Sequence, residues 1–238
     1  MTKAPEDDPA IDARSLRFVW PGADGALLDL ERFHVARGER VFVEGPSGCG
    51  KTTLLNLLAG ALKPTSGALR ILGTELAALS GGRRDRFRAD HVGVVFQAFN
   101  LVPYLTLIEN VVLPCRFSPL RRRRIADAGG TPEGEAMRLL ASLGLDGRSF
   151  GRRDVARLSA GQQQRVAVAR ALIGGPELVI CDEPTSALDA DARDAFLALL
   201  LQEAAAAGAA VVFVSHDRAL ASAFDRTYSL PERNRAAA

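Results

Sequence analysis

A glycine-rich segment with an embedded lysine has the residue types and spacing that point most directly to chemistry. Residues 45–52 read GPSGCGKT and fit the pattern G-x-x-x-x-G-K-S/T. Glycines let the backbone turn its N–H groups toward phosphate oxygens, and the helix that follows adds its positive end. Lys51 would bridge the β- and γ-phosphates of a nucleotide, and the Thr52 hydroxyl would ligate Mg²⁺. A plain glycine turn is the weaker alternative to a nucleotide site formed by Gly45, Pro46, Ser47, Gly48, Cys49, Gly50, Lys51, Thr52 and Thr53.

Two carboxylates follow an apolar run, Leu178–Cys181. Asp182 is the natural Mg²⁺ partner of a phosphate loop, and Glu183 is placed to polarise an attacking water as general base. Taken alone, two acids after a strand indicate a solvated strand end. The phosphate loop elsewhere in the chain favours the catalytic interpretation.

An amide and an imidazole end two further apolar runs. Gln97 follows Val92–Phe96, and His216 follows Val211–Ser215. A lone histidine is usually an ordinary polar residue. At the end of a central strand, His216 is instead predicted to lie near the γ-phosphate as a hydrogen-bond donor.

The elements that must position these residues form an alternating pattern. Together with Val41–Val43, the apolar runs are rich in Val, Ile and Phe without strict alternation, which is typical of strands covered on both faces. Helical patterns at 51–62 and 161–173 lie between the runs and predict a mainly parallel, doubly wound α/β sheet. Ligands bind outside the carboxyl ends of such strands, so the loop, amide, carboxylates and imidazole should converge on one edge.

Length and composition indicate a globular protein of one or two domains. The chain has 238 residues, of which 47% are hydrophobic and 24% charged. A net charge of +2 argues against nucleic acid as a partner. The apolar stretch 195–214 contains Gln202 and Glu203 and is punctuated by Gly208. It therefore predicts a helix, a glycine stop and a buried strand rather than a membrane span.

The remaining segments divide the chain into a core, an insertion and two tails. Residues 98–158 carry four prolines and several helical stretches, which predicts a mainly helical subdomain over about 98–165. Residues 14–44 and 67–76 predict a small antiparallel β layer. The predicted boundaries are a flexible tail at 1–13, a nucleotide-binding domain at 14–230 and a C-terminal tail at 231–238.

The segment Leu158–Arg165 reads LSAGQQQR. Ser159 is a good helix N-cap, and Gln162 stands three residues on, as a capping-box partner does. One interpretation is simply a capped helix. The other is a second anion site made of a serine, the Gly161 backbone and a helix N-terminus.

With these motifs combined, the chain resembles the ATP-binding subunit of an ATP-binding cassette (ABC) transporter over about residues 14–230. The resemblance implies a P-loop NTPase core with ATP and Mg²⁺ as cofactors, the metal held by Thr52, Gln97 and Asp182. In the family's terms the motifs are Walker A at Gly45–Thr52, the Q-loop at Gln97, the signature at Ser159–Gln162, the end of Walker B at Asp182 and Glu183, the D-loop at Ser186–Asp189 and the switch histidine at His216.

Two positions show how far the resemblance extends. Trp20 lies 25 residues before Gly45 and matches the aromatic that stacks on adenine, with a core tryptophan as the alternative. Ala160 stands where the family usually has a second glycine. We expect the alanine to be tolerated if its φ is helical or extended, and to cause strain if φ is positive.

The resemblance also implies partners. Two copies would sandwich two ATP molecules, each between the Walker A loop of one chain and the signature of the other. The dimer would be peripheral to the inner or plasma membrane, at its cytoplasmic face, and would drive a permease. Residues 95–103 and 106–114 resemble the short exporter-type subunits of lipoprotein-releasing and macrolide-efflux systems. A non-transport cytosolic ABC ATPase and an ATP-dependent signalling module remain alternatives.

Two further groups carry expectations of their own. The run Arg121–Arg124 is expected to form a solvated face, with contact to lipid head groups or an acidic partner as the alternative. Cys49, beside a lysine at a helix N-terminus, is expected to be a reactive thiol. The alternative is an inert small residue.

Overall fold

The computed structural model describes residues 8–145, 155–185, 188 and 190–237. This part of the chain divides into two compact units. The first holds the residues up to Arg88 together with those from Ala210 onward, and the second holds Ala89–Ala209. Each unit contains parallel strands, and the first also contains a separate antiparallel sheet. The predicted α/β architecture is confirmed.

The antiparallel sheet of the first unit is the predicted β layer. Its strands are ordered β2-β1-β4-β5, and Ile11 of β1 pairs with Val35 of β2 and Ile71 of β4. Alternate residues such as Leu16 and Leu30 are fully buried, as period-two strands with one covered face require. The strand bounds are β1 Ile11–Phe18, β2 Leu28–Val35, β4 Ser66–Ile71 and β5 Thr74–Glu75.

The parallel strands of the first unit surround β3 (Arg40–Glu44). β3 pairs in parallel with β8 (Ala210–Val214) and with β9 (Arg226–Ser229). Every residue of β8 is buried, as expected for a strand covered on both faces. Helix α1 (Lys51–Leu58) follows β3 and ends four residues earlier than the pattern at 51–62 suggests. The chain turns there at Gly60, whose φ of +72° favours glycine.

The second unit combines two parallel strands with a set of helices. β6 and β7 pair with Val92 opposite Leu178. Helix α2 runs across the boundary between the units, and α8 belongs to the first unit. The element bounds are α2 Gly81–His91, β6 Val92–Val95, α3 Leu107–Phe117, α4 Pro119–Asp127, α5 Pro132–Ser142, α6 Ala160–Leu172, β7 Leu178–Asp182, α7 Ala190–Ala206 and α8 Leu230–Arg233.

All four apolar runs predicted as strands form strands, namely β3, β6, β7 and β8. The apolar stretch at 195–214 also folds as predicted: α7 ends at Ala206, Gly208 takes a φ of +64°, and β8 begins at Ala210. Within the described ranges, no helix is both long enough and apolar enough to cross a membrane.

The chain ends differ from the predicted tails. β1 begins at Ile11, so the last three residues of the tail placed at 1–13 belong to a strand. At the other end, Asn234 is 6% exposed. Its Oδ1 accepts from the Asp29 N–H at 2.8 Å, and its Nδ2 donates to the Leu27 carbonyl at 2.9 Å. These bonds pair backbone groups at the start of β2 with a buried side chain, so Asn234 is packed against the antiparallel sheet rather than lying in a loose tail.

The arginine run at 121–124 is only in part the solvated face that the sequence suggested, because Arg122 and Arg123 are exposed but Arg121 and Arg124 are not. Arg121 is 1% exposed, Arg122 donates to the Cys115 carbonyl, and Arg124 donates to the Gly175 carbonyl at 2.6 Å. Arg123 is exposed. Three of the four guanidinium groups therefore donate to carbonyls near the ends of neighbouring elements of the second unit.

Candidate active site

The phosphate loop lies between β3 and α1 in the first unit, as predicted. Gly50 is the N-cap of α1 with a φ of +99°, and no side chain caps the helix. Gly48 also has a left-handed φ, +82°. A Cβ on Gly50 would lie 2.7 Å from Cδ2 of Leu28, so this position requires glycine for space as well as for conformation. The first turn of α1 carries no acidic residue, which leaves it suited to an anion.

Lys51 points back over this loop. Its side chain is 8% exposed, and Nζ donates to the carbonyls of Gly45 at 2.8 Å and Pro46 at 3.0 Å. These bonds hold the ammonium group above the loop backbone. A phosphate in the loop would meet a cation already placed beside the helix N-terminus.

Trp20 is 45% exposed, so it is not a core tryptophan. Its ring meets Phe18 edge to face, with centroids 4.9 Å apart and an interplanar angle of 88°. The contact holds the indole against Phe18, and the exposure of Trp20 leaves ring surface accessible. This is the environment that stacking on a base requires.

His216 leaves the sheet at the same end as the phosphate loop. In the parallel pairing of β3 with β8, Val43 lies opposite Val214, and the Ser215 N–H donates to the Val43 carbonyl at 3.3 Å. The residues that follow these two positions therefore emerge at one edge of this sheet. His216 is exposed there.

The second unit brings Gln97 and the two carboxylates to one edge in the same way. Val95 pairs with Cys181 in the parallel β6–β7 ladder, so Gln97, two residues after β6, and Asp182, the last residue of β7, lie at the carboxyl ends of neighbouring strands. Asp182 and Glu183 are half-buried, and Gln97 is exposed. Glu183 has a φ of +44°. This is a rare conformation for a residue with a side chain, and such residues cluster at functional sites.

The signature segment forms a complete capping box at the start of α6. The Ser159 hydroxyl accepts from the Gln162 N–H at 3.3 Å, and Oε1 of Gln162 accepts from the Ser159 N–H at 3.0 Å. Ala160 is the first residue of α6 and does not have a positive φ, so the methyl group is tolerated. Gly161 provides space instead: a Cβ there would lie 3.3 Å from Cδ2 of Leu188.

One buried polar residue of this helix was missed by the sequence analysis. Gln164 is completely buried, and its Nε2 donates to the carbonyl of Pro184, directly after Glu183. Among the described residues its Oε1 finds no hydrogen-bond partner. The available signal was a glutamine in line with the apolar positions Val168 and Ala171 on one helix face. Asp189, with the D-loop residues Ser186 and Ala187, lies outside the described residues.

A family model described as ABC transporter matches residues 28–186 of this sequence, a span that includes the phosphate loop, Gln97, the signature segment and both carboxylates. The chain belongs to the ABC transporter family. It is a nucleotide-binding ATPase of the cassette type, which fits both the P-loop architecture and the position of Lys51.

Two curated relatives show how this cassette compares with its family. It is 39% identical to the lipoprotein-releasing system ATP-binding protein LolD of Chromohalobacter salexigens, over 88% of this chain and 84% of the relative. It is 35% identical to the macrolide export ATP-binding/permease protein MacB of Shigella flexneri, over 93% of this chain. The match covers 33% of MacB, so the cassette spans about a third of that protein's length.

The cassette is also similar to solved structures of MJ0796, described as a bacterial ABC transporter cassette. A dimeric form matches with a TM-score of 0.81 at 33% identity, covering 92% of this chain and 93% of the other. A dimeric post-hydrolysis form of the same cassette, bound to ADP and Pi, matches equally well. The adenine nucleotide in that relative agrees with ATP as the nucleotide predicted here.

Proposed function

We propose that this ATPase is the energising subunit of an exporter-type ABC transporter and works as a homodimer attached to a membrane permease at its cytoplasmic face. The phosphate loop carries the proposal. It combines left-handed glycines, a helix with no side-chain cap and a lysine held over the loop. An uncapped helix N-terminus beside a buried lysine brings two positive groups together, an arrangement that a bound anion stabilises.

The loop binds the phosphates of ATP. Backbone N–H groups at the start of α1 donate to phosphate oxygens, and Nζ of Lys51 exchanges its bonds to Gly45 and Pro46 for bonds to the β- and γ-phosphates. Trp20 supplies an exposed ring for the adenine. Ser47 and Cys49 line the loop, and Thr53, 7% exposed, anchors its end in α1.

The side chains assigned to Mg²⁺ fit that ion. Thr52 offers a hydroxyl, Asp182 a carboxylate and Gln97 an amide oxygen. All three are hard oxygen donors, and Mg²⁺ is usually held by few protein ligands together with water and substrate phosphates. When bound, the ion neutralises charge on the phosphoryl oxygens.

Glu183 and His216 take the catalytic roles. Glu183 accepts a proton from a water whose oxygen attacks the γ-phosphorus, while the bond from that phosphorus to the bridging oxygen of ADP breaks. His216 donates a hydrogen bond to a γ-phosphate oxygen as charge develops there. The φ of +44° at Glu183 supports this assignment, because residues with strained backbone conformations cluster at active sites.

The second copy completes the site. The Ser159–Gln162 cap lies at an exposed helix N-terminus, so the γ-phosphate of an ATP on the partner can join the cap across the interface. Asp189 is assigned to the same interface by family resemblance. Hydrolysis removes the bridging phosphate, and the dimer can open. The dimeric forms of the MJ0796 cassette support this arrangement.

The exporter assignment and the membrane partner rest on the relatives. LolD is named as part of a lipoprotein-releasing system, and MacB as a macrolide export protein that contains its own permease. A chain that matches the ATP-binding part of both would act with a permease of comparable design. Its position at the cytoplasmic face follows from its use of ATP.

Substitution Glu183→Gln tests the proposal. The variant should bind MgATP normally but turn over at least about a hundredfold more slowly, because a general base contributes about 10²–10⁴. With MgATP it should elute as a dimer in size-exclusion chromatography, and with MgADP as a monomer. The matched control is Glu133→Gln, an exposed acid of the second unit. Hydrolysis at the parental rate by Glu183→Gln would show that the base is wrongly assigned.

A further inference from the structure

The turn that follows Gln97 has an unusual backbone. Phe99 and Asn100 have φ values of +58° and +48°. Two consecutive residues with side chains in the left-handed region are uncommon, because each is crowded there. Within the turn, the Phe99 N–H donates to the Phe96 carbonyl at 3.0 Å, and the Asn100 N–H donates to the Ala98 carbonyl at 2.6 Å. Something outside the turn must help to hold this shape.

Arg170 of α6 provides the external contact. Its Nη2 donates to the Phe99 carbonyl at 2.5 Å, and its Nη1 donates to the Asn100 carbonyl at 2.6 Å. One planar guanidinium therefore donates to the carbonyls of both left-handed residues. A lysine ammonium, with its single nitrogen, cannot reproduce this geometry. Arg170 is half-buried, and burial lowers the pKa of its guanidinium.

The same helix carries the signature cap. Ser159 caps α6 at its N-terminus, and Arg170 lies eleven residues further on, about 16 Å along the axis at 1.5 Å per residue. A helix of this length is stiff, so the turn after Gln97 and the signature cap are connected through one rigid element. Gln164 on the same helix reaches the carbonyl that follows Glu183.

We infer that Arg170 is a positioning residue that clamps the 98–100 turn to the signature helix and so fixes where Gln97 is presented. The inference rests on the proposed role of Gln97 at the nucleotide site. Loss of the clamp lets the turn relax, which moves the Gln97 amide while leaving the phosphate loop of the other unit unchanged. ATP binding and ATP turnover should therefore respond differently.

Arg170→Met keeps the apolar stem and removes both hydrogen bonds, and Arg123→Met is the matched control at an exposed arginine of the same unit. We expect kcat to fall about tenfold in Arg170→Met, because the Gln97 amide is no longer held in one position. The affinity for MgATP, measured with a fluorescent nucleotide, should stay within about twofold of the parent's. Arg170→Lys should restore part of kcat, since an ammonium can still reach one carbonyl.

Two measurements separate positioning from a general loss of structure. Amide hydrogen exchange should accelerate in the peptide covering residues 97–102 and not in α1 or β3. In a double-mutant cycle, Arg170→Met should have little further effect on kcat once Gln97→Ala is present, because both changes remove the same contribution.

The outcomes are distinguishable. Parental kcat in Arg170→Met, exchange unchanged at 97–102, or multiplicative effects in the cycle would each overturn the clamp as a device acting through Gln97. Full activity of Gln97→Ala would instead refute the proposed role of Gln97, and the exchange data would still decide whether Arg170 holds the turn.

Discussion

The guanidinium of Arg121 donates to the carbonyl of Ile173 at 2.8 Å, joining α4 to the end of α6. It also donates to the carbonyls of Ala89 at 2.8 Å, Val92 at 2.8 Å and Ala171 at 3.2 Å. Burial lowers the pKa of Arg121 to about 10, so it remains charged at neutral pH. One buried arginine thus satisfies carbonyls from three elements of the second unit.

Replacing Arg121 should destabilise the protein strongly. Arg121→Met leaves four carbonyls short of a donor, and we expect a loss of at least about 3 kcal/mol in the free energy of unfolding. Urea denaturation followed by circular dichroism measures it. Arg123→Met is the control and should change the free energy by less than about 0.5 kcal/mol. Equal stability of the two variants would mean that the hydrogen bonds from Arg121 to the four carbonyls do not contribute to the free energy of unfolding.

The ion pairs of Glu177 should make the free energy of unfolding depend on pH. Burial raises the pKa of this carboxyl, but hydrogen bonds from His91 at 3.2 Å and Arg124 at 2.5 Å, with their charges, outweigh it and lower the pKa to about 2. A lowered folded-state pKa stabilises the fold above the unfolded-state value of about 4.5, and this contribution disappears as pH falls toward 2.

The stability difference between the parent and Glu177→Gln should therefore be up to about 3 kcal/mol at pH 7 and shrink to about half of that by pH 3. Urea denaturation at both pH values measures the difference, with Glu133→Gln as the exposed control. A difference that is constant with pH would contradict the assigned ion pair.

Lys51→Ala should lose ATP binding. The substitution removes the cation held over the loop by Gly45 and Pro46, and charge-assisted hydrogen bonds to phosphate are worth about 1.5–3 kcal/mol each. Nucleotide titration should show affinity reduced at least about tenfold. Lys63→Ala is the matched control, because Lys63 is exposed and donates to the Ala77 carbonyl at 3.2 Å. Unchanged affinity in Lys51→Ala would refute the placement of the phosphate loop.

Cys49 should be the thiol through which a maleimide inactivates the enzyme. It is half-buried, whereas Cys115 and Cys181 are buried, and burial raises the pKa of both those thiols. Cys49 packs against Gly45, where a Cβ would lie 2.6 Å from its Sγ, so an adduct there would block the loop. MgATP should protect the thiol.

Mass-spectrometric mapping with residual ATPase activity measures the modification. Cys49→Ser should keep its activity and resist inactivation, since serine has similar size. Full activity after complete labelling of Cys49 would show that the thiol does not face the phosphate site.

Several features of the protein were determined by sequence alone because their causes are local. Gly45–Thr52, the Ser159–Gln162 cap and the four apolar runs each specify structure within a few residues, through glycine conformation, capping bonds and strand propensity. The alternation of strands and helices predicted a parallel sheet, and in such a sheet the ligand-binding side chains lie at the carboxyl ends of the strands. The same local logic predicted that Gly208 would end α7.

Only the tertiary structure decided what the long polar side chains do. Arg121, Arg170 and Asn234 bond to carbonyls or N–H groups 50, 70 and 205 residues away in sequence. The sequence does not distinguish an arginine that will be exposed to solvent from one that will be buried among backbone carbonyls. The difference arises only when packing brings unsatisfied backbone groups to the ends of elements, where a buried donor is worth far more than an exposed one.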